Sequence, residues 1–383
     1  MNIDVREGLE LVRSHPAVIF FTLGVLNNVT YVLMIAGSPE IAARSIGLVY
    51  FLAVSPALVV KGSSWWWFER VSYWWRLMVC IPVLMALAFG LVAFGPLSAQ
   101  LTGVAIVAIQ SALGEASCLA LASTYPASER RVLLTGWSSG TGIAGIAGYV
   151  VVGLVDHLSV PFVAMLLVAM LVLPAAWVCT YSRIPGESKH DREAAAARVD
   201  DDAEERVAMV AGQSPRQYAL ELALGDRLER LLPYSLPLFG VYFAEYACQS
   251  GVWITIGDSE AARREFYHAS NLLYQCGVFI SRSSGSVFEL HLSSLPWLAV
   301  FQFGLLFFFI GISLLKVSGW WLLVPAFVTG VMGGLCYVNA FRLLAHDSPP
   351  SEREKNMALT STADSLGVGC ADLFGILLQR WLS

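Results

Sequence analysis

Four carboxylic acids stand among apolar neighbours in this sequence. Glu115 lies in Ser111-Ala112-Leu113-Gly114-Glu115-Ala116-Ser117, Glu245 in Tyr242-Phe243-Ala244-Glu245-Tyr246, and Asp364 and Asp372 near the C-terminal end. Ionisable groups inside apolar stretches are costly and mark functional-site candidates. A carboxyl group shielded from water is held more cheaply when protonated, the property a proton carrier needs. Glu245 equally suits a structural hydrogen bond locking two neighbouring helices. Amides and hydroxyls accompany the acids: Asn27, Asn28 and Tyr31, then Gln110, Ser138, Ser139, Tyr242, Gln275 and Asn339. Such groups suit the wall of a polar cavity and cannot comfortably face lipid. Two cations, Lys61 and Arg282, end apolar runs. Arg282 is followed by Ser283 and Ser284, and a guanidinium beside hydroxyls suits an anionic group such as a phosphate. The plainer reading of both cations is that they snorkel to lipid headgroups.

The chemistry these residues exclude is as informative. The six histidines lie in loops or near the ends of apolar runs, and none is paired at metal-ligating spacing. No Gly-x-Ser-x-Gly elbow occurs. The glycines from Gly136 to Gly148 are not followed by the Lys-Ser/Thr of a phosphate loop. They fit close packing of helix backbones, or a broken helix exposing backbone at a substrate site. The seven cysteines are scattered singly, which predicts inert thiols and neither disulfide nor zinc. A non-enzyme without cofactor or metal is expected. With a net charge of −5 there is no basic field to attract nucleic acid.

The elements that must position these groups follow from composition. Of 383 residues, 56% are hydrophobic and only 14% charged, and the mean hydropathy is +0.63. Soluble chains carry about 25% charge, so a polytopic membrane protein is the expected class. About 20 apolar residues cross a bilayer as a helix. Eleven spans are predicted, at 17–36, 46–62, 74–95, 97–123, 132–155, 160–181, 231–257, 266–281, 294–316, 319–342 and 356–382, the second and eighth being short and polar-flecked. The first reads as a span, not as a cleaved signal. With the N-terminus inside, nineteen of the 24 Lys and Arg residues fall on that side, so the N-terminus and the 182–230 loop are expected in the cytosol. That loop carries an acidic stretch, Asp200 to Glu205, and then Ser214-Pro215-Arg216-Gln217 opening a helical pattern through Leu220, Leu224, Leu228 and Leu231. An amphipathic helix on the cytosolic membrane surface is expected there. The loop divides a six-helix bundle, 1–181, from a five-helix bundle, 231–383. That is the organisation of a two-bundle transporter working by alternating access around a midplane site. Tryptophan clusters at Trp65-Trp66-Trp67, Trp74-Trp75 and Trp320-Trp321 suit the two membrane interfaces.

Several of these polar segments resemble the battenin family. They include Gly24-Val25-Leu26-Asn27-Asn28-Val29-Thr30-Tyr31, Leu113-Gly114-Glu115, and Trp137-Ser138-Ser139-Gly140-Thr141-Gly142. Further matches are Tyr242-Phe243-Ala244-Glu245-Tyr246, Leu273-Tyr274-Gln275-Cys276-Gly277-Val278-Phe279 running on to Ser281-Arg282-Ser283-Ser284, and Gly333-Gly334 leading to Tyr337-Val338-Asn339. A weaker match runs through Asp364-Ser365-Leu366-Gly367. The resemblance implies a lysosomal or vacuolar membrane protein with a major-facilitator-like fold. It implies roles in endolysosomal pH and basic amino acid balance, and in clearing glycerophosphodiesters. The substrate so implied is a small polar or anionic metabolite, with protons as the coupling partner. A non-transporting scaffold that recruits trafficking partners through its cytosolic loop is the alternative. The residues Gln379-Arg380-Trp381-Leu382-Ser383 show no Cys-a-a-X, and the 1–2 loop is short. The prenylation and lumenal glycosylation of some animal members are therefore not expected here.

Overall fold

The computed structural model describes residues 15–42, 46–68, 70–184 and 224–382. Among them are eleven long helices: α1 (Pro16–Ala36), α2 (Ile46–Gly62), α3 (Trp74–Phe94), α4 (Leu97–Thr124), α5 (Ala127–His157), α6 (Phe162–Tyr181), α7 (Leu224–Ala247), α8 (Glu260–Ser283), α9 (Leu295–Leu314), α10 (Leu323–Asp347) and α11 (Pro350–Leu382). Eight are long and apolar enough to cross a membrane; α2, α7 and α8 are the shorter or more polar ones.

Local chemistry sets the boundaries. Prolines stand at or just before the starts of α1, α4, α5, α6 and α11, where a missing N–H costs nothing. Ser259 caps α8, its Oγ accepting from the Ala262 N–H at 3.1 Å. Gly37 ends α1 and Gly95 ends α3, each donating its N–H to a carbonyl four residues back. The first turns of α3, Trp74–Cys80, are wound as π-helix. After α7 the chain continues through a π-helical turn, Cys248–Val252, to Thr255.

Each half repeats one pairing pattern. In the first half α1 packs on α5 and α2 on α4; in the second, α7 packs on α11 and α8 on α10. The offset of six helices is that of a duplicated bundle. Glycines permit the closest approaches. A methyl group at Gly140 would collide with the Phe21 carbonyl of α1, and one at Gly330 with the Tyr274 carbonyl of α8. The glycines of α5 from Gly136 to Gly148 therefore serve close packing, and the helix is unbroken from Ala127 to His157. Every third helix, α3, α6 and α9, is the least enclosed. Their exposed Val168, Leu171 and Phe307 suit contact with lipid.

The halves meet along two matching seams, α5 against α8 and α2 against α11, and α4 also packs on α11. The expected surface helix, from Ser214 through Leu231, lies outside the described residues up to 223, as does the acidic stretch before it. From Leu224 onward, however, the chain is already α7, seven residues ahead of the predicted span. Arg227 there pairs with Glu352 at 2.9 Å, so this turn docks on α11 rather than lying apart.

Candidate functional site

Between the halves lies a cavity of about 920 Å³, its mouth included, lined by seven helices. α1 contributes Asn27, Asn28 and Tyr31, α2 Lys61, α4 Ser111 and Glu115, and α5 Thr141 and Gly145. From the second half come Tyr242 and Tyr246 of α7, Tyr274, Gln275 and Arg282 of α8, and Asp364 and Ser365 of α11.

One wall is an ion cluster. Lys61 is 2% exposed, and its Nζ lies 2.5 Å from Glu115 Oε2 and 3.0 Å from Asp364 Oδ1. It also donates to Ser365 Oγ at 2.8 Å. Tyr337 of α10 donates to the other Glu115 oxygen at 2.7 Å. Both contacts, Lys61 with Asp364 and Glu115 with Tyr337, cross from the first half to the second. A buried ammonium beside two carboxylates leaves the cluster one negative charge in formal terms when all are ionised.

The opposite wall is organised by Arg282. Its Nη1 donates to Thr141 Oγ1 and its Nη2 to the Tyr242 hydroxyl, each at 2.6 Å. The guanidinium lies over the Tyr337 ring, 4.2 Å from the centroid. These partners are neutral, and no carboxylate forms an ion pair with Arg282 among the described residues. Its Nε is buried without an acceptor. A guanidinium among neutral partners, with one donor unused, has the hydrogen-bonding chemistry that an anionic group needs. Lys61 and Arg282 thus both point inward, and neither snorkels.

The remaining expected residues divide into lining and support. Asn27 is gripped by α4, donating to the Ser111 carbonyl at 3.0 Å and accepting from Gln110 Nε2 at 2.9 Å. Thr30 completes this net, donating to Gln110 Oε1 at 2.7 Å. Asn28 lines the cavity and donates to the Thr141 carbonyl at 2.9 Å. Gln275 lodges against Gly145, where no side chain could stand in its way. Ser138 and Ser139 are buried in α5 outside the cavity lining; that helix reaches the cavity through Thr141 and Gly145. Glu245, at 1% exposure, is also outside the lining. Its Oε1 accepts from Tyr274 at 2.9 Å, and its Oε2 sits against Gly333 without a donor. This is the helix-locking geometry, joining α7 to α8.

Asn339 stands apart from the cavity, contrary to its expected place. Its Oδ1 accepts from the Leu290 N–H at 3.1 Å and its Nδ2 donates to the Leu335 carbonyl at 3.0 Å, so it secures the loop before α9. It is two positions from Tyr337, which on a helix is roughly 200° around the axis. Thr141, Tyr246 and Tyr274 belong to segments whose polar residues are expected to face the interior, Ser365 is an addition, and Lys61 reads from the sequence as a headgroup anchor. No local signal sets Lys61 apart from an interface anchor: it ends an apolar run just before a tryptophan cluster, and its partner Asp364 lies 303 positions away.

A family model described as CLN3 protein matches residues 18–383. The chain belongs to that family. Protein BTN1 of Eremothecium gossypii is 31% identical, the match covering 94% of this chain and 93% of the relative. Protein BTN1 of Saccharomyces cerevisiae is also 31% identical, covering 96% and 95%. The battenin resemblance read from the polar segments is thereby borne out. Among solved structures, the human organic anion transporter MFSD10 superposes with a TM-score of 0.63 at 12% identity, covering 97% of this chain and 95% of that one. The proton:xylose symporter XylE of the major facilitator superfamily gives 0.64 at 14% identity, covering 96% and 89%. The fold is that of the major facilitator superfamily.

Proposed function

We propose that the chain is a secondary transporter of the lysosomal or vacuolar membrane that moves a small anionic or zwitterionic metabolite by alternating access. A glycerophosphodiester is the substrate class we favour, and proton movement through the same site would link it to lumenal pH. The observation that carries this reading is Arg282, whose guanidinium faces a cavity between the halves with neutral partners and one donor unused. A solved neighbour of the same fold is an organic anion transporter, and two are proton symporters.

In this scheme residues 1–181 and 231–383 rock against each other, with 182–230 as a cytosolic tether. Arg282, assisted by Thr141 and Tyr242, takes the anionic group. Asn28, Tyr31 and Gln275 contact its polar remainder. Lys61, Glu115 and Asp364 form the coupling element. Protonating Asp364 cancels its attraction for Lys61, and that attraction is one of the ties between the halves. Glu245 acts behind the cavity, through Tyr274. Cross-half hydrogen bonds gather where α5 begins: Arg130 to the Ala345 carbonyl at 2.9 Å and Arg131 to the Gly285 carbonyl at 3.2 Å. In the orientation expected from the Lys and Arg count, this end faces the cytosol. The state described is then closed toward the cytosol.

Proteoliposomes test the reading. Labelled glycerophosphodiester, glycerol and a basic amino acid are offered under an imposed pH gradient. Saturable entry of the phosphodiester, faster with the gradient, supports it. No flux of any of the three, together with a protein partner captured by residues 182–230, would favour the scaffold reading instead.

A further inference from the structure

A second cavity, of about 1090 Å³ with its mouth, lies at the end of the bundle where α5 begins and α10 finishes. It is lined by Arg130 and Arg131 of α5, Arg342 and His346 of α10, and Glu289 and His291 of the loop between α8 and α9. Three guanidiniums and two imidazoles share this wall with one carboxylate among the described residues. Asp347, just outside the lining, is engaged by His346 at 2.8 Å and by the Tyr234 hydroxyl at 2.6 Å.

Glu289 is the only acidic group in this wall among the described residues, and it is shared. One of its oxygens pairs with Arg131 Nη1, and the other lies 3.3 Å from Arg342 Nη1. It is itself half exposed, at 51%. The arginines, by contrast, are anchored by backbone. Arg131 Nε donates to the Gly285 carbonyl at 3.2 Å, Arg342 Nη2 to the Leu290 carbonyl at 3.0 Å, and Arg130 Nη1 to the Ala345 carbonyl at 2.9 Å. Arg342 Nε is buried without an acceptor. Fixed guanidiniums held around a loosely held carboxylate are pre-organised for a stronger anion, and their planar forks match phosphate oxygens.

We propose that this cavity is a binding site for a phosphomonoester-bearing ligand, whose phosphate displaces Glu289 from Arg131 and Arg342. The site lies where the candidate spans Glu129–Val155 and Trp320–Asp347 begin and end, which is headgroup depth. A phosphoinositide headgroup and a soluble inositol phosphate share the needed chemistry. Because Arg131 also ties α5 to the loop after α8, occupancy of the site acts on the closure between the halves. The proposal does not depend on what the central cavity carries.

The test uses the full chain in nanodiscs. Soluble inositol trisphosphate is titrated against nanodiscs of neutral lipid, and in parallel the chain is incorporated with a bisphosphorylated phosphoinositide or with phosphatidylserine. Binding is read from thermal stabilisation and from ligand fluorescence. Arg342→Gln is expected to weaken binding by about tenfold or more, the loss of one charge-assisted hydrogen bond. Glu289→Gln is expected to tighten it, and it keeps the test alive if the arginine variant misfolds. Stabilisation by the trisphosphate assigns a soluble ligand; stabilisation by the phosphoinositide alone assigns a lipid. Equal response to phosphatidylserine, or affinity unchanged by Glu289→Gln, overturns the proposal.

Discussion

Lys61 and Arg282 hold matching places in the two halves. Each is the penultimate residue of its helix, α2 or α8, and each reaches across a seam, Lys61 to Asp364 at 3.0 Å and Arg282 to Thr141 at 2.6 Å. Their company differs. Lys61 is flanked by two carboxylates, and Arg282 by hydroxyls and an aromatic ring. Equivalent positions of the two halves thus hold one cation between carboxylates and one among neutral groups.

The Lys61 cluster should respond unequally to loss of its members. Lys61→Met leaves Glu115 and Asp364 without their cation and should destabilise by about 3–5 kcal/mol. Asp364→Asn leaves the Lys61–Glu115 pair intact and should cost about 1–3 kcal/mol. Thermal unfolding of the purified variants in one detergent measures both. Equal losses would mean that Lys61 does not hold the two acids together.

Glycine replacements separate helix contact from helix propensity. Gly140→Ala forces a methyl group into the Phe21 carbonyl and should destabilise by about 1–3 kcal/mol through overpacking. Gly153→Ala, further along α5, meets nothing within 4 Å and should be neutral or stabilising by up to about 1 kcal/mol. Melting temperatures of the pair give the comparison, and a harmless Gly140→Ala would mean that α1 and α5 are not in backbone contact.

Glu245 and Tyr274 should be energetically coupled. Removing the Tyr274 hydroxyl leaves the buried carboxylate without a donor, whereas replacing both partners by apolar groups is nearly neutral. In a double-mutant cycle of Tyr274→Phe and Glu245→Met, the double variant should lose less than the two single losses together, by about 1–3 kcal/mol. Additive losses would show the hydrogen bond to be immaterial.

The helices were legible because apolar length alone announces them: 46–62 and 17–36 match α2 and α1 within a residue. Polar residues such as Asn27 and Gln110 were legible as inward-facing, since lipid could not satisfy them. What each one touches was not. Lys61 meets Asp364 across 303 positions, a pairing fixed by how the halves dock and by nothing local. Asn339 shares its segment with Tyr337 yet faces the loop at Leu290, because helical phase separates the two. Arg282 was singled out for the serines that follow it. In the fold it works with Thr141 and Tyr242, while Ser283 and Ser284 bond to backbone carbonyls of their own helix.

The central claim is that Arg282 receives the anionic group of a transported solute. Uptake of a labelled glycerophosphodiester into proteoliposomes, compared between the unaltered chain and Arg282→Gln at matched thermal stability, tests it most directly. Losing a buried cation that pairs with substrate should lower uptake by about 30-fold or more, with Arg282→Lys in between because it keeps the charge and loses the fork. Undiminished uptake by a folded Arg282→Gln variant would contradict the account.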